Sequence, residues 1–128
     1  VISCSSRESE KNLQKRGITD RKVKQINPHS LYYFTTRDFG LHILSNREIR
    51  TKLIWFKEGG TIVMRVTSTE DLKDEYPVSS KNVVCSVETF WEFRPLEKNC
   101  GVPQTCVELT TKVDFGGQIQ GFIPSSFM

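Results

Sequence analysis

At 128 residues with 37% hydrophobic and 26% charged residues, the chain has the length of one compact domain and a globular rather than disordered or low-complexity composition. Its 18 Lys and Arg against 15 Asp and Glu leave a formal charge of +3, with the signs interspersed, which argues against a dedicated nucleic-acid binder. No apolar run approaches the roughly 20 residues a membrane-spanning helix needs, so any membrane contact is expected to be peripheral.

The four cysteines, Cys4, Cys85, Cys100 and Cys106, form no C-x-x-C pair and have no histidines at zinc-ligand spacing. Cys100 and Cys106 are close enough in sequence for a small disulfide loop in a secreted protein, but no signal-peptide pattern opens the chain, and free thiols in a cytoplasmic setting are the simpler expectation. A start at Val1 and a stop at Met128, just after an apolar helix-starting signal, are read as those of an excised or incomplete piece.

Taken in chain order, Val1 to Glu8 reads as a short strand, and Ser9 to Asp20 as a polar loop whose only large apolar residues are Leu13 and Ile18. A helix from about Ser6 to Arg16 is the competing reading, weakened by its meagre apolar face. Strand-like segments follow at Lys22 to Ile26, Leu31 to Thr35, Arg37 to Leu44, Thr51 to Lys57, Thr61 to Thr67, Asn82 to Glu88, Phe90 to Arg94 and Thr105 to Asp114, all rich in β-branched and aromatic residues. The run Lys57-Glu58-Gly59-Gly60 supplies the positive-φ residues of a tight hairpin. In the last strand Val107, Leu109, Thr111 and Val113 alternate with Cys106, Glu108, Thr110 and Lys112, which predicts one buried and one wet face. Gly116-Gly117 then leads to Gly121-Phe122-Ile123-Pro124, where Pro124 suits the first position of a terminal helix. So many strands with so little helix predict an open antiparallel sheet whose inner face needs an apolar cover.

Four stretches, in order, resemble the START family of lipid-transfer domains. They are Arg37-Asp38-Phe39 after an aromatic strand; Val63-Met64-Arg65-Val66-Thr67-Ser68-Thr69-Glu70, a strand ending in a small polar residue and an acid; Trp91-Glu92-Phe93-Arg94-Pro95-Leu96, an aromatic strand closed by Pro-Leu; and Lys112-Val113-Asp114 leading through glycines to Phe122-Ile123-Pro124. The resemblance spans about Lys22 to Met128 and implies an α+β helix-grip fold, a curved antiparallel sheet gripping a C-terminal helix that is mostly absent from this chain. Gly117 to Gln120 and Glu48 to Lys52 look like lengthened loops relative to that pattern.

The resemblance implies a single hydrophobic lipid, sterol or phospholipid or similar, held in a cavity between sheet and helix. Its wall is expected from Phe39, Leu41 and Ile43, then Met64, Val66, Trp91, Phe93, Leu109, Thr111 and Val113, with Phe127 from the terminal helix. Ile43 stands where many family members carry a cavity arginine, which implies a ligand apolar at that end. For each residue singly, ordinary core packing is the simpler account, and Arg37-Asp38 reads more simply as an ion pair or turn cap at the start of a strand than as ligand contacts. The loop from Asn99 to Gln104 is a candidate gate, an ordinary hairpin connection being the simpler account.

Catalysis finds little support. His29 precedes a turn, His42 sits in an expected strand, and no nucleophile elbow, phosphate loop or zinc-protease motif is present. The expectation is therefore a non-enzymatic carrier with no cofactor and no metal, a lipid ligand, transient membrane contact and no nucleic-acid partner, of open oligomeric state. A protein-docking module using the sheet face or edge is the alternative.

Overall fold

The computed structural model describes residues 10–117; the expected strand at Val1 to Glu8, the helix starting at Pro124 and the wall residue Phe127 lie outside that range. A short helix α1 (Glu10–Lys15) precedes six strands: β1 (Ile18–Asn27), β2 (Ser30–Arg37), β3 (Arg47–Glu58), β4 (Thr61–Ser68), β5 (Val83–Asn99) and β6 (Val102–Asp114). They form one curved sheet in the order β1-β2-β3-β4-β5-β6, each strand antiparallel to its neighbour. Where β4 ends, the start of β5 takes its place beside β3, pairing parallel from Arg47↔Val83 to Ile49↔Cys85. The Ser68 hydroxyl stitches this junction, accepting from the Val87 amide at 2.7 Å and lying 3.2 Å from the Val87 carbonyl. That is the local reason a small polar residue closes β4.

The hairpin expected at Gly59-Gly60 is present, with Glu58 opposite Thr61 and Gly59 at φ 60°. Between Ser9 and Asp20 the loop expectation is corrected: α1 lies inside the competing helical span and β1 begins at Ile18. One apolar residue suffices for so short a helix, because Leu13 is buried against its surroundings. Gly17, at φ 74°, ends it and brings the backbone against Asp38, whose amide donates to the Gly17 carbonyl at 2.8 Å; a Cβ at Gly17 would meet the Asp38 carbonyl oxygen at 2.5 Å.

Two further expectations change. The strand from Arg37 to Leu44 is not formed: β2 ends at Arg37 and residues 38–46 are a loop. The Asp38 carboxylate accepts from the Gly40 amide at 2.7 Å and the Leu44 amide donates to the Leu41 carbonyl at 3.0 Å, so local turns satisfy backbone groups that a ladder would otherwise need. Glu48 to Lys52, read as a lengthened hairpin, lie within β3 instead. Conversely, the expected segments Asn82 to Glu88 and Phe90 to Arg94 are one strand, β5, which continues through Pro95 to Asn99. Pro95 is tolerated because the pairing with β4 ends at Phe93, leaving that flank of β5 with no ladder bond to lose.

Candidate functional site

Cross-strand partners in an antiparallel ladder project to the same face, so the register sorts the side chains. Three rows cross the sheet on one face. Leu31, Leu53, Val66, Thr89 and Thr111 form the first, Trp55, Met64, Trp91 and Leu109 the second, and Lys57, Ile62, Phe93 and Val107 the third. Val87 and Val113 extend the face beyond the first row. Trp91 and Phe93 stack with ring centroids 5.9 Å apart at an interplanar angle of 6°, which makes the middle of the face flat and aromatic. The only hydroxyls in the rows, on Thr89 and Thr111, bond to each other at 2.9 Å, which leaves one hydroxyl proton free for water or for whatever is laid over them.

Seven expected wall residues, Met64, Val66, Trp91, Phe93, Leu109, Thr111 and Val113, are thus brought onto one contiguous surface. Three are not. Phe39, Leu41 and Ile43 lie in loop 38–46, where no alternation sorts them onto a face; Ile43 is 92% exposed and the Arg37 guanidinium stands 5.4 Å from the Phe39 ring. The inference of an apolar cavity end from Ile43 falls with the strand it rested on. Arg37-Asp38 closes a strand and caps a turn rather than opening one; the strand that opens on an arginine-acid pair is β3, at Arg47-Glu48.

Leu31, Leu53, Trp55, Ile62 and Val87 belong to the face but were missed, and Val107, read as sharing a strand face with Leu109, was left out of the wall. A signal for two of them was available: pairing across the Gly59-Gly60 turn sets Trp55 opposite Met64 and Leu53 opposite Val66. The expectation that the Val107, Leu109, Thr111 and Val113 side of the last strand is buried is corrected too. Leu109 and Val107 are 50% and 52% exposed and Val113 40%, because the described residues place no layer over β6.

The opposite face is polar and partly covered. Segment 69–82, between β4 and β5, straps across β1 to β3 and buries Phe34, Glu48 and Arg50. Arg50 donates to Glu48 at 2.7 Å and to the Asp71 and Leu72 carbonyls at 3.5 and 3.4 Å, with its guanidinium 4.3 Å from the Phe34 ring. Tyr32 donates to Asp71 at 2.8 Å, Lys24 pairs with Glu75, Tyr76 packs edge-on to Phe34, and Asn82 donates to Glu48 at 3.2 Å. A groove of about 470 Å³ farther along this face is lined by charged and hydroxyl side chains, Arg65, Thr67, Glu88, Thr110 and Lys112 among them, with Phe90 its aromatic member.

Such a curved sheet, apolar on one side and strapped on the other, can be compared with solved structures. Human STARD10 superposes with a TM-score of 0.63 at 16% sequence identity, covering 85% of this chain and 43% of that one. The fold is START-like. The human StarD13 (DLC2) lipid transfer and protein localization domain agrees, with a TM-score of 0.60 at 11% identity over 91% of this chain and 58% of that one. The chain therefore spans about half the length of the START structures it matches. No family model matches it, and no curated protein sequence does either.

Remaining reactive groups are scattered over this START-like sheet. Cys85 is buried beside the Phe115 carbonyl, and burial pushes its thiol up to about 11, the nearby Arg47 opposing the shift. Cys100, exposed at φ 52°, and Gly101 form the two-residue β5–β6 turn, so the Asn99 to Gln104 candidate gate is a tight hairpin. Cys106 lies four residues along β6 from Val102, roughly 13 Å at strand rise and too far for a disulfide to Cys100. The His29 ring packs 4.4 Å from that of Trp55, and His42 is exposed in loop 38–46. Among the described residues no three His, Cys, Asp or Glu side chains converge as a metal site, and no helix is long and apolar enough to cross a membrane.

Proposed function

We propose that this chain is the sheet side of a lipid carrier, which binds one hydrophobic lipid against the face built by Leu53, Val66, Trp55, Met64, Trp91, Leu109, Ile62, Phe93 and Val107, and transfers it between membranes. The observation that carries this reading is the three in-register, mostly apolar rows of a START-like sheet, half-buried in the middle and exposed along β6 among the described residues. Covering one large apolar side chain is worth about 1.5–3 kcal/mol, so a lipid laid across two rows gains enough to leave a bilayer reversibly. The unbranched Met64 adapts the wall to ligands of different shape.

The mechanism is capture and release, without covalent chemistry, cofactor or metal. The setting is cytoplasmic, with transient contact at membrane surfaces. A protein-docking module that uses the same open face without lipid transfer is the second reading, favoured by that same exposure.

Native mass spectrometry of the protein incubated with sterols, phospholipids and ceramides separates the two. One lipid per chain is expected. Phe93→Asp and Leu109→Lys should each weaken retention about tenfold or more, whereas Leu41→Asp, in loop 38–46, leaves it intact. Unchanged retention by a folded Phe93→Asp protein overturns the assignment of the wall; protein capture with no lipid at any concentration favours docking.

A further inference from the structure

The first row of the apolar face carries its polar feature on β5 and β6. Thr89 and Thr111 are direct ladder partners whose hydroxyls lie 2.9 Å apart. One proton is spent between the two oxygens, which leaves the pair one donor and spare acceptor lone pairs, the complement of an alcohol. Hydroxyls beside this row are committed elsewhere. Thr51 donates to the Tyr33 carbonyl at 2.8 Å, and the Ser68 hydroxyl is engaged by both backbone groups of Val87.

Around the pair the face is uncharged. Val66 lies across from Thr89, with the Val87–Val113 pair on one side and the Trp91–Leu109 pair on the other. Glu88 and Lys112, next to the threonines in sequence, project to the opposite face. Lys57, the charged residue of the three rows, ends the third row on β3, two strands and two rows away, roughly 16 Å at ordinary strand spacing and rise. At the other end of the face Arg47 bonds the Ser45 and Gly116 carbonyls. A phosphate or ammonium group laid over the threonines meets apolar side chains and no counter-charge, whereas a neutral hydroxyl there finds both a donor and an acceptor. We propose that the Thr89–Thr111 pair is the polar subsite of this face, and that its ligand is a neutral lipid whose one polar group is a hydroxyl.

This subsite presupposes that the face carries lipid, and one set of ligands tests the two separately. Hexadecane, hexadecanol and hexadecyl phosphate share one chain and differ in the polar group. Each is titrated against an apolar fluorescent dye bound to the 128-residue chain and to its Thr89→Val/Thr111→Val variant, which keeps the branched shape of both side chains. In that variant hexadecanol should bind about threefold to tenfold more weakly, while hexadecane and hexadecyl phosphate bind no more weakly than before. Thr89→Ser/Thr111→Ser retains the hydroxyls and should retain the binding of hexadecanol. Tyr33→Phe removes a phenol that the register with Thr51 puts on the same face, and should leave all three ligands unchanged. Circular dichroism checks that each variant folds. An unchanged hexadecanol affinity in the valine variant, with the ligands still bound, overturns the subsite and spares the carrier reading. An equal loss for hexadecyl phosphate overturns the neutral class, and displacement of the dye by none of the three overturns subsite and carrier together.

Discussion

Arg50 shows how much one side chain can be asked to organise. It is 2% exposed, its Nε has no hydrogen-bond partner, and its charge is answered by Glu48 in a pair whose side chains are 3% and 9% exposed. A buried pair contributes little net stability once desolvation is counted, but removing one partner strands the other without compensation. Glu48→Leu should therefore cost about 3 kcal/mol or more in urea unfolding, while Glu48→Leu combined with Arg50→Met recovers most of the loss. Additive costs in that cycle would mean the two residues do not act as a pair. Nothing in the sequence distinguishes this arginine from the other charged residues of a strand-forming run, since its burial depends on a strap that begins nineteen residues later, at Thr69, whose amide donates to the Arg50 carbonyl.

Among the elements, the strap of residues 69–82 is held chiefly by polar contacts, and these have a pH signature. The bond from Tyr32, then that from Thr69, holds the Asp71 carboxyl below its ordinary 3.8, and Lys24 holds Glu75 below 4.5. A carboxyl whose folded value is depressed stabilises the folded form above its ordinary value, and that contribution is lost as pH falls through the depressed one. Lys24 and Tyr32 are raised by the same partners, so their contributions are complete at neutral pH and fade only above about pH 10. The strap should thus loosen on acidification below the ordinary carboxyl range while the β-ladders persist, seen as loss of dispersion in the backbone resonances of residues 69–82. Asp71→Asn should flatten part of that response; a strap equally ordered down to full protonation contradicts it. The strands were largely legible because alternation and β-branched residues act locally. Loop 38–46 was not: Phe39, Leu41 and Ile43 alternate as a strand would, and only the turns around Asp38 and Leu41 break them out.

For the molecule as a whole, the balance between the two faces decides what it can bind. Val63, 4% exposed on the polar side, belongs to the packed part of the fold, and Val63→Ala should cost about 2 kcal/mol. Leu109 is half open, and Leu109→Lys should change stability by less than about 1 kcal/mol while reducing the binding of an apolar fluorescent dye. A large stability loss at Leu109 would mean that the face is a closed core rather than an open platform, and urea titration beside dye binding distinguishes the two.

The sequence by itself determined the run of antiparallel strands, the turn at Gly59-Gly60, and the apolar alternation of Thr105 to Asp114, because those signals depend on neighbours one or two residues away. It also carried the START resemblance that the sheet's superposition on solved structures supports. Beyond the hairpin at Gly59-Gly60, tertiary structure alone decided which strands lie side by side, hence that Trp91 and Leu109 join Trp55 and Met64 in one row and that Phe39, Leu41 and Ile43 do not. It decided the exposure of the apolar face and the burial of Glu48 and Arg50 as well. Alternation says that a strand has two faces; what lies against each is set by segments far away in the chain.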